Sequence, residues 1–175
     1  IFRAGKPALC GDLDPPQPLL EQSEALSAPL FLRGRDFDLA QGQESWHWRG
    51  TCRSGQVLEL HDLPLLDLPM ENAALALQGY ALLGLPWQPE VLAAALLGTR
   101  VTGRLDRRPV VWRGKSLSLL LDVGHNPHAA EYLASRLESR PVAGRRLAVF
   151  GLLADKDLPG VLAPLVGQMD RWAVA

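Results

Sequence analysis

The stretch LLLDVGHNPHAAEYLASRL, residues 119–137, carries the side chains most capable of chemistry. A run of aliphatic residues ends in Asp122, and a turn that contains His125 and Asn126 leads into a helical pattern. In open parallel sheets, ligands bind beyond the carboxyl ends of the strands, where helix N-termini also lie. A carboxylate that accepts sugar hydroxyls beside free helix N–H groups could bind a nucleotide. Asp122 and Asn126 could equally serve only to stabilise a tight turn and to cap the helix.

The two histidines of this stretch, His125 and His128, raise the question of a metal site. Because Pro127 favours a helix start, we expect His125 on the loop and His128 in the first helical turn. Their rings then need not converge, and no further Cys, His or paired acid lies nearby in sequence to complete a ligand set. The pattern therefore favours a loop histidine that contacts a phosphate or a carboxylate, and we assign no metal ligand.

Two other polar segments invite a phosphate-binding interpretation. Arg104, in the segment VTGRLD, could bind a triphosphate with its forked donors, although a solvated linker charge is the commoner role of a single arginine. The segment RGKS, residues 113–116, resembles the end of a P-loop, but Pro109 stands where that motif needs glycine, and a strand follows instead of a helix. We predict a hairpin turn there. Asp157, after a later strand, is expected to cap the next helix.

The composition limits the class of partner. With 175 residues, 47% of them hydrophobic, the chain can bury one core or two small ones without metals or disulfides. The formal charge of -1 and the lack of a Lys/Arg block disfavour nucleic acid and membrane surfaces, and no apolar run reaches transmembrane length. Small-molecule partners and a cytoplasmic location are expected. Cys10 and Cys52 have no metal-ligand spacing and are interpreted as ordinary thiols.

The first seventy residues favour short strands. The runs KPALCG and PLFLRG are apolar and bounded by Gly or Pro, with a proline-rich loop and a short helix around LLEQSEAL between them. ESWHWRGTCRSGQVLEL predicts two strands around a turn. Alternation along the first of these strands places Trp46 and Trp48 on one face, where packing in a core is favoured over base stacking. Helices are predicted from about Asn72 to Leu83 and from Pro89 to Gly98.

From Gly103 onward, strands alternate with helices. Continuous apolar strands separated by helices are typical of a parallel sheet covered on both faces, the doubly wound α/β class. We therefore predict an α/β chain in which short strands and a helical pair precede a partial, Rossmann-like doubly wound domain. The chain starts without methionine and ends as a strand begins, so we expect it to be a piece of a longer protein.

These segments carry a family resemblance. LLDVGHNPHAAEYLASRL, followed by LAVFGLLADKDLPGVLAPL, resembles the C-terminal domain of the bifunctional dihydrofolate synthase/folylpolyglutamate synthases, members of the Mur ligase superfamily. IFRAGKPALCG and ENAALALQGY resemble further segments of that family, so the resemblance covers essentially the whole chain. It implies that residues 1–102 are the end of a central ATPase domain and that residues 103–175 are part of the C-terminal domain.

The resemblance also implies roles for individual residues. Asn72, Arg104 and Asp122 match ATP-binding positions, with Arg104 on the phosphates and Asp122 on the ribose hydroxyls. His125 matches a loop histidine near the phosphates or the incoming glutamate and is the one candidate for a catalytic role. The candidate substrate contacts are His125, Asn126 and Lys156. Three residues depart from the family pattern: Thr102 replaces the usual Pro, Glu71 the usual Gln and Gly124 the usual Ala. Thr102 is expected to loosen the linker, and none of the three changes removes a reacting group.

The implied activity is ATP-dependent addition of L-glutamate to dihydropteroate or to the glutamate tail of folates through an acyl phosphate. In this family the P-loop, the Mg²⁺ ligands and a carbamylated lysine lie upstream, so the 175 residues alone are expected to be inactive. ATP, L-glutamate and dihydropteroate or folates are the expected partners, and the parent is expected to be a monomer. The alternatives are another Mur-type ligase, of peptidoglycan synthesis, and a non-catalytic nucleotide-binding or interaction module.

Overall fold

The computed structural model describes residues 2–175 and divides the chain into two compact units, one that ends at Thr99 and one that spans Arg100–Ala175. Ile1, the first residue of the IFRAGKPALCG motif, lies outside the described residues. The assignment of residues 1–102 and 103–175 to two named domains stays a prediction. The first unit contains, in chain order, β1 (Ala8–Cys10), α1 (Gln17–Ala25), β2 (Leu30–Leu32), β3 (Phe37–Gln41), β4 (Ser45–Thr51), β5 (Val57–Pro64), α2 (Met70–Leu83) and α3 (Pro89–Gly98).

The core of the first unit is built on the antiparallel sheet β3-β4-β5 and on α2. Trp46 and Trp48 are 0% and 1% exposed, because strand alternation places both indoles on the inner face. The Nε1–H of Trp46 donates to the Pro64 carbonyl at 2.9 Å, and that of Trp48 donates to the Ala74 carbonyl at 3.1 Å. Each buried indole thus keeps a hydrogen-bond partner, and the prediction that the tryptophans pack in the core is confirmed.

A buried glutamine joins α2 to the sheet. Gln78 is 0% exposed, its Nε2 donates to the Thr51 carbonyl at 2.7 Å, and its Oε1 accepts the Thr51 N–H at 3.3 Å. The side-chain amide therefore pairs with β4 as a neighbouring peptide group would. A Cβ at Gly50 would overlap both this amide and the Trp48 ring, so glycine is required for the close approach.

The predicted helical pair is confirmed. Helix α2 begins at Met70, two residues before the predicted start, and ends at Leu83, and the φ of 69° at the following Gly84 is the left-handed conformation typical of a helix C-terminus. Helix α3 begins at Pro89, as the first-turn preference of proline predicts. The short strands β1 and β2 pair in parallel, whereas β3 was not predicted. No helix in the described part of the chain is long and apolar enough to cross a membrane.

The second unit begins with a β-hairpin. Arg113 and Gly114 connect its antiparallel strands with φ values of 48° and 74°, the two left-handed residues of a type I′ turn. The hairpin predicted for RGKS is confirmed. The elements of this unit are β6 (Asp106–Trp112), β7 (Lys115–Leu121), α4 (Pro127–Glu138), β8 (Leu147–Phe150), α5 (Leu158–Leu162), a 3₁₀ turn (Val166–Gln168) and β9 (Arg171–Val174).

Strands β8 and β9 form a parallel pair, and helices α4 and α5 pack with them around a second core. Phe150 and Trp172 meet edge to face, with ring centroids 5.8 Å apart. The predicted α/β class, with a partial Rossmann-like domain, is confirmed. Two features differ from the predicted sheet among the described residues. Strand β7 pairs with β6, because a two-residue turn joins them. The outer face of β8 is not covered, since Leu147 and Val149 are 66% and 84% exposed.

The helix predicted over LPGVLAPLVGQM is shorter than expected. Helix α5 covers five residues, and the remainder forms the 3₁₀ turn. Pro164 has no N–H to donate and so interrupts the ladder of helical hydrogen bonds. The break leaves Val161 and Leu165 buried in the second core.

Candidate functional site

The carboxyl end of β7 and the loop before β6 meet at Asp122. Its Oδ2 accepts the Leu105 N–H at 2.9 Å, and its Oδ1 accepts the Gly124 N–H at 2.7 Å. The Val123 N–H in turn donates to the Gly103 carbonyl at 2.7 Å. Three hydrogen bonds therefore hold the strand end, the following turn and the preceding loop together.

Arg104 lies at the centre of that loop. Gly103 and Leu105, on either side of it, both have left-handed backbones, with φ values of 71° and 45°. The guanidinium Nη1 lies 3.9 Å from Asp122 Oδ1, and the arginine side chain is 42% exposed. A separation longer than a hydrogen bond makes this a weak ion pair, so the Arg104 donors are not saturated by Asp122.

Of the two roles left open for Asp122 by the sequence, the turn-stabilising one is observed, since both carboxylate oxygens accept backbone N–H groups. The side chain is only 12% exposed. A carboxylate oxygen has two lone pairs, so each oxygen keeps capacity for a second donor such as a sugar hydroxyl. The role in nucleotide binding stays a prediction.

His125 lies on the loop after β7 and is exposed, and His128 lies in the first turn of α4, as predicted. His125 Nδ1 is 3.1 Å from the Val123 carbonyl oxygen. Since a carbonyl can only accept, Nδ1 carries the hydrogen in this contact, and Nε2 is the atom left for a ligand. The described residues contain no group of three His, Cys, Asp or Glu side chains that could hold a metal ion.

Asn126 caps α4, with its Oδ1 accepting the Ala129 N–H at 2.9 Å and Pro127 at the first helical position. The predicted cap is confirmed. The amide oxygen is committed to the helix, so any contact with a substrate would use the amide N–H₂ group. That substrate contact stays a prediction.

A second capped helix starts beside the first. Asp157 Oδ1 accepts the Gly160 N–H at 3.0 Å, as predicted for this residue. A Cβ at Gly160 would lie 2.7 Å from Pro127 Cγ, so the first turns of α4 and α5 are in close contact. Lys156 forms an ion pair with Asp155 at 2.8 Å, and at this exposure the pair adds little to stability. The role of Lys156 as a substrate contact stays a prediction.

Comparison with known proteins shows what this unit is similar to. Residues 103–175 match the family described as Mur ligase, glutamate ligase domain. Over 175 residues the chain is 34% identical to the dihydrofolate synthase/folylpolyglutamate synthase of Escherichia coli strain K12, a match that covers 100% of this chain and 39% of that protein.

Solved structures of folylpolyglutamate synthases are similar to this chain along almost its whole length, which includes both units. The chain is similar to E. coli FolC in complex with ADP, with a TM-score of 0.81 and 33% identity over 99% of this chain and 40% of that one. It is also similar to a bifunctional folylpolyglutamate synthase/dihydrofolate synthase with Mn, AMPPNP and L-glutamate bound, with a TM-score of 0.76 and 35% identity over 98% and 39% of the two chains. The chain thus spans about two fifths of the length of the relatives it matches.

Sequence reasoning missed one carboxylate of the second unit. Asp106 Oδ2 accepts the Gly103 N–H at 3.2 Å, and the Arg108 guanidinium contacts Asp106 at 2.9 Å. The Arg108 guanidinium makes the larger contribution and the Gly103 N–H the smaller one, and both hold the pKa of the Asp106 carboxyl below its ordinary value. The available signal was an acid three residues after a glycine, a spacing at which short side chains accept backbone N–H groups.

Asn72 belongs to the other unit, in the first turn of α2. Its side chain is exposed, and its N–H donates to the Pro69 carbonyl at 3.1 Å. The helix on which it lies is fixed by the Gln78 amide. Its role as an ATP contact stays a prediction.

Proposed function

We propose that the chain is a segment of an ATP-dependent amide ligase of the dihydrofolate synthase/folylpolyglutamate synthase type. The observation that carries the proposal is the pairing of Arg104 with Asp122 at a strand end, inside a domain that matches the glutamate ligase family. Similarity over the full chain to enzymes of that name supports the folate branch over a ligase of peptidoglycan synthesis.

The proposed reaction has two steps. A carboxylate oxygen of dihydropteroate, or of the glutamate tail of a folate, attacks the γ-phosphorus of ATP, and the bond to the ADP oxygen breaks to give an acyl phosphate. The amine of L-glutamate then attacks the acyl carbon and an amide bond forms, while inorganic phosphate leaves with the electron pair of the broken C–O bond and the nitrogen releases one proton to water. Both steps need charge neutralisation at phosphate and a fixed orientation of the nucleophile.

In this proposal, Arg104 and Asp122 orient the nucleotide. Arg104 contacts the phosphates, which is supported by a side chain that is 42% exposed and a guanidinium that is only weakly paired. Asp122 accepts the ribose hydroxyls with the lone pairs that its two backbone donors leave. Asn72 makes a further contact to ATP.

The remaining candidates serve the reacting groups. His125 Nε2 contacts a phosphate or the incoming glutamate, since Nδ1 is engaged by the Val123 carbonyl. Asn126 and Lys156 contact substrate. None of these side chains is assigned a proton transfer, so we propose positioning roles for the three of them.

Mg²⁺ is implied by the reaction, but the residues described do not fit it. Since no group of three metal-ligating side chains is present among them, the ligands would come from elsewhere in a full-length protein, and no step is derived through the metal. We further propose that the full-length protein is a cytoplasmic monomer whose partners are ATP, L-glutamate and dihydropteroate or folates, with neither nucleic acid nor membrane among them.

The test uses the full-length protein that carries this segment. It is incubated with ATP, Mg²⁺ and L-glutamate together with dihydropteroate, a folate or a peptidoglycan precursor, and phosphate release and product mass are measured. Phosphate release that requires a pteroate or folate, with a product heavier by one glutamyl residue, is expected. Turnover only with the peptidoglycan precursor, or nucleotide binding without turnover on any substrate, would contradict the proposal.

A further inference from the structure

We propose that Asp106 is a positioning residue for Arg104, whose carboxylate fixes the loop that presents the guanidinium to the phosphates of the nucleotide. The inference rests on the proposed phosphate contact of Arg104 and adds a residue to it. Asp106 is the first residue of β6, two positions after Arg104. Because its carboxylate accepts the Gly103 N–H, we infer that it acts through the backbone of the loop and not on the substrate.

The backbone around Arg104 is held at three consecutive N–H groups. The Gly103 N–H donates to Asp106 Oδ2 at 3.2 Å, the Arg104 N–H to the Val101 carbonyl at 3.0 Å, and the Leu105 N–H to Asp122 Oδ2 at 2.9 Å. Two carboxylates thus hold the peptide groups on either side of the arginine. Such a loop presents its central side chain in a defined direction, which is what recognition of a phosphate requires.

One residue of this loop, Leu105, has a conformation that its type does not favour. Leu105 has a φ of 45°, in the left-handed region that residues with a Cβ rarely occupy. Gly103, with a φ of 71°, is the residue type that such a position favours, and a Cβ there would lie 2.9 Å from Val123 Cγ1. The Asp122 hydrogen bond therefore holds Leu105 against its local preference, and the Asp106 hydrogen bond fixes the neighbouring Gly103 peptide group.

Asp106 is itself oriented by a neighbour on the same face of its strand. The Arg108 Nη2 lies 2.9 Å from Oδ2, and its Nε lies 3.3 Å from Oδ1, so the guanidinium contacts both oxygens of the carboxylate. The Asp106 side chain is 17% exposed, whereas Arg108 is 53% exposed. This fork directs Oδ2 toward the Gly103 N–H and keeps the carboxylate charged.

The experiment is a double-mutant cycle in the full-length enzyme. Arg104→Ala, Asp106→Ala and the double variant are compared by kcat/KM for ATP and by KM for L-glutamate. Asp106→Ala is expected to lower kcat/KM for ATP on the order of tenfold, less than the hundredfold that a 1 Å misplacement can cost, while KM for L-glutamate stays within about twofold. In the Arg104→Ala background, Asp106→Ala is expected to change kcat/KM for ATP by less than about twofold, because the side chain it positions is already absent.

Two further variants separate positioning from folding. Asp106→Asn keeps an acceptor for the Gly103 N–H, so its kcat/KM for ATP is expected to lie between those of the unchanged enzyme and Asp106→Ala. If Asp106→Ala does not fold, Asp106→Asn takes its place in the cycle. Glu59→Ala removes a partner of an exposed ion pair in β5 and serves as the matched control, with kcat/KM for ATP unchanged.

The outcomes distinguish this inference from the proposed function. If Asp106→Ala and Arg104→Ala lower kcat/KM independently, so that their effects multiply in the double variant, the positioning role is overturned and the phosphate role of Arg104 stands. If Arg104→Ala itself leaves kcat/KM for ATP unchanged, the phosphate role fails, and the positioning role fails with it.

Discussion

The Asp122 carboxylate accepts the Leu105 N–H across 2.9 Å, and this bond joins the end of β7 to the loop that carries Arg104. Leu105 and Asp122, 17 positions apart in sequence, are thereby joined by a hydrogen bond. The acid that the sequence marks as a ligand contact is thus also a structural element of its own site. Substitutions of Asp122 are expected to change stability and nucleotide affinity together.

Asp122→Asn tests the structural part of this dual role. The substitution turns one acceptor into an N–H₂ donor that faces either the Leu105 or the Gly124 N–H, so one backbone donor loses its partner. The free energy of unfolding is expected to fall by about 1–3 kcal/mol, measured by urea denaturation. Asp155→Asn, at a side chain that is 67% exposed, is the control and should change it by no more than about 0.5 kcal/mol. Equal effects of the two substitutions would show that the Asp122 hydrogen bonds contribute nothing.

Asp122→Ala tests the ribose contact. In the full-length enzyme this substitution is expected to raise KM for ATP more than KM for L-glutamate, because the proposed contact is to the nucleotide. The measurement is a pair of saturation curves, one for each substrate. A parallel rise in both KM values would contradict the ribose role and leave Asp122 with its turn-stabilising function alone.

Gln78→Leu is expected to destabilise the first unit. The substitution keeps similar volume but leaves the N–H and the carbonyl of Thr51 without the partners that Gln78 supplies. Loss of about 2–3 kcal/mol of unfolding free energy is expected, measured by urea denaturation. Gln22→Leu, on an exposed face of α1, should have a much smaller effect. A similar loss in both variants would show that the buried amide is not a stabilising link.

The Asp106–Arg108 pair predicts a contribution to stability that depends on pH. The Arg108 guanidinium and then the Gly103 N–H hold the pKa of Asp106 below its ordinary value of 3.8, so the folded state binds this proton less readily than the unfolded state. The contribution is therefore present above that ordinary value and is lost as pH falls through the lower, folded pKa. The difference in unfolding free energy between the unchanged chain and Asp106→Asn should shrink as pH is lowered from about 6 to about 3. A difference that stays constant over this range would contradict the prediction.

The 175-residue chain alone is expected to have no ligase activity. Its sequence contains no complete P-loop motif, and the described residues hold no metal-ligating group of three side chains. Overnight incubation with ATP, Mg²⁺, L-glutamate and folate, followed by mass spectrometry, should reveal no added glutamate, whereas the full-length enzyme should give product. Detection of a glutamylated folate with the short chain would overturn the expectation.

Local sequence signals predicted much of the fold. The Asn126 cap and Pro127 define the start of α4, and Arg113-Gly114 defines the hairpin, because these features depend on residues adjacent in sequence. The inward placement of Trp46 and Trp48 followed from strand alternation alone. The break after α5 was missed, although Pro164 was the available signal.

The candidate site was predicted less completely, for a physical reason. Asp122 and Arg104 could be identified as residue types suited to a nucleotide, but their contact depends on the fold bringing a loop to a strand end. The left-handed Leu105 could not be foreseen, because a leucine disfavours that conformation and the Asp122 carboxylate that accepts its N–H lies 17 positions away in sequence. Gln78 is similar, since a buried amide is recognisable only once Thr51 is seen opposite it.

The outer face of β8 has a practical consequence for biophysical work. Leu147 and Val149, 66% and 84% exposed, place branched aliphatic side chains in contact with water on a pleated surface. Such surfaces drive association between copies as concentration rises, so the apparent molar mass of the 175-residue chain, measured by light scattering, is expected to increase with protein concentration. Sulfate, which strengthens the burial of apolar surface, should increase this colloidal attraction. Low-sulfate buffers and dilute samples are therefore the conditions under which its unfolding and binding are best measured.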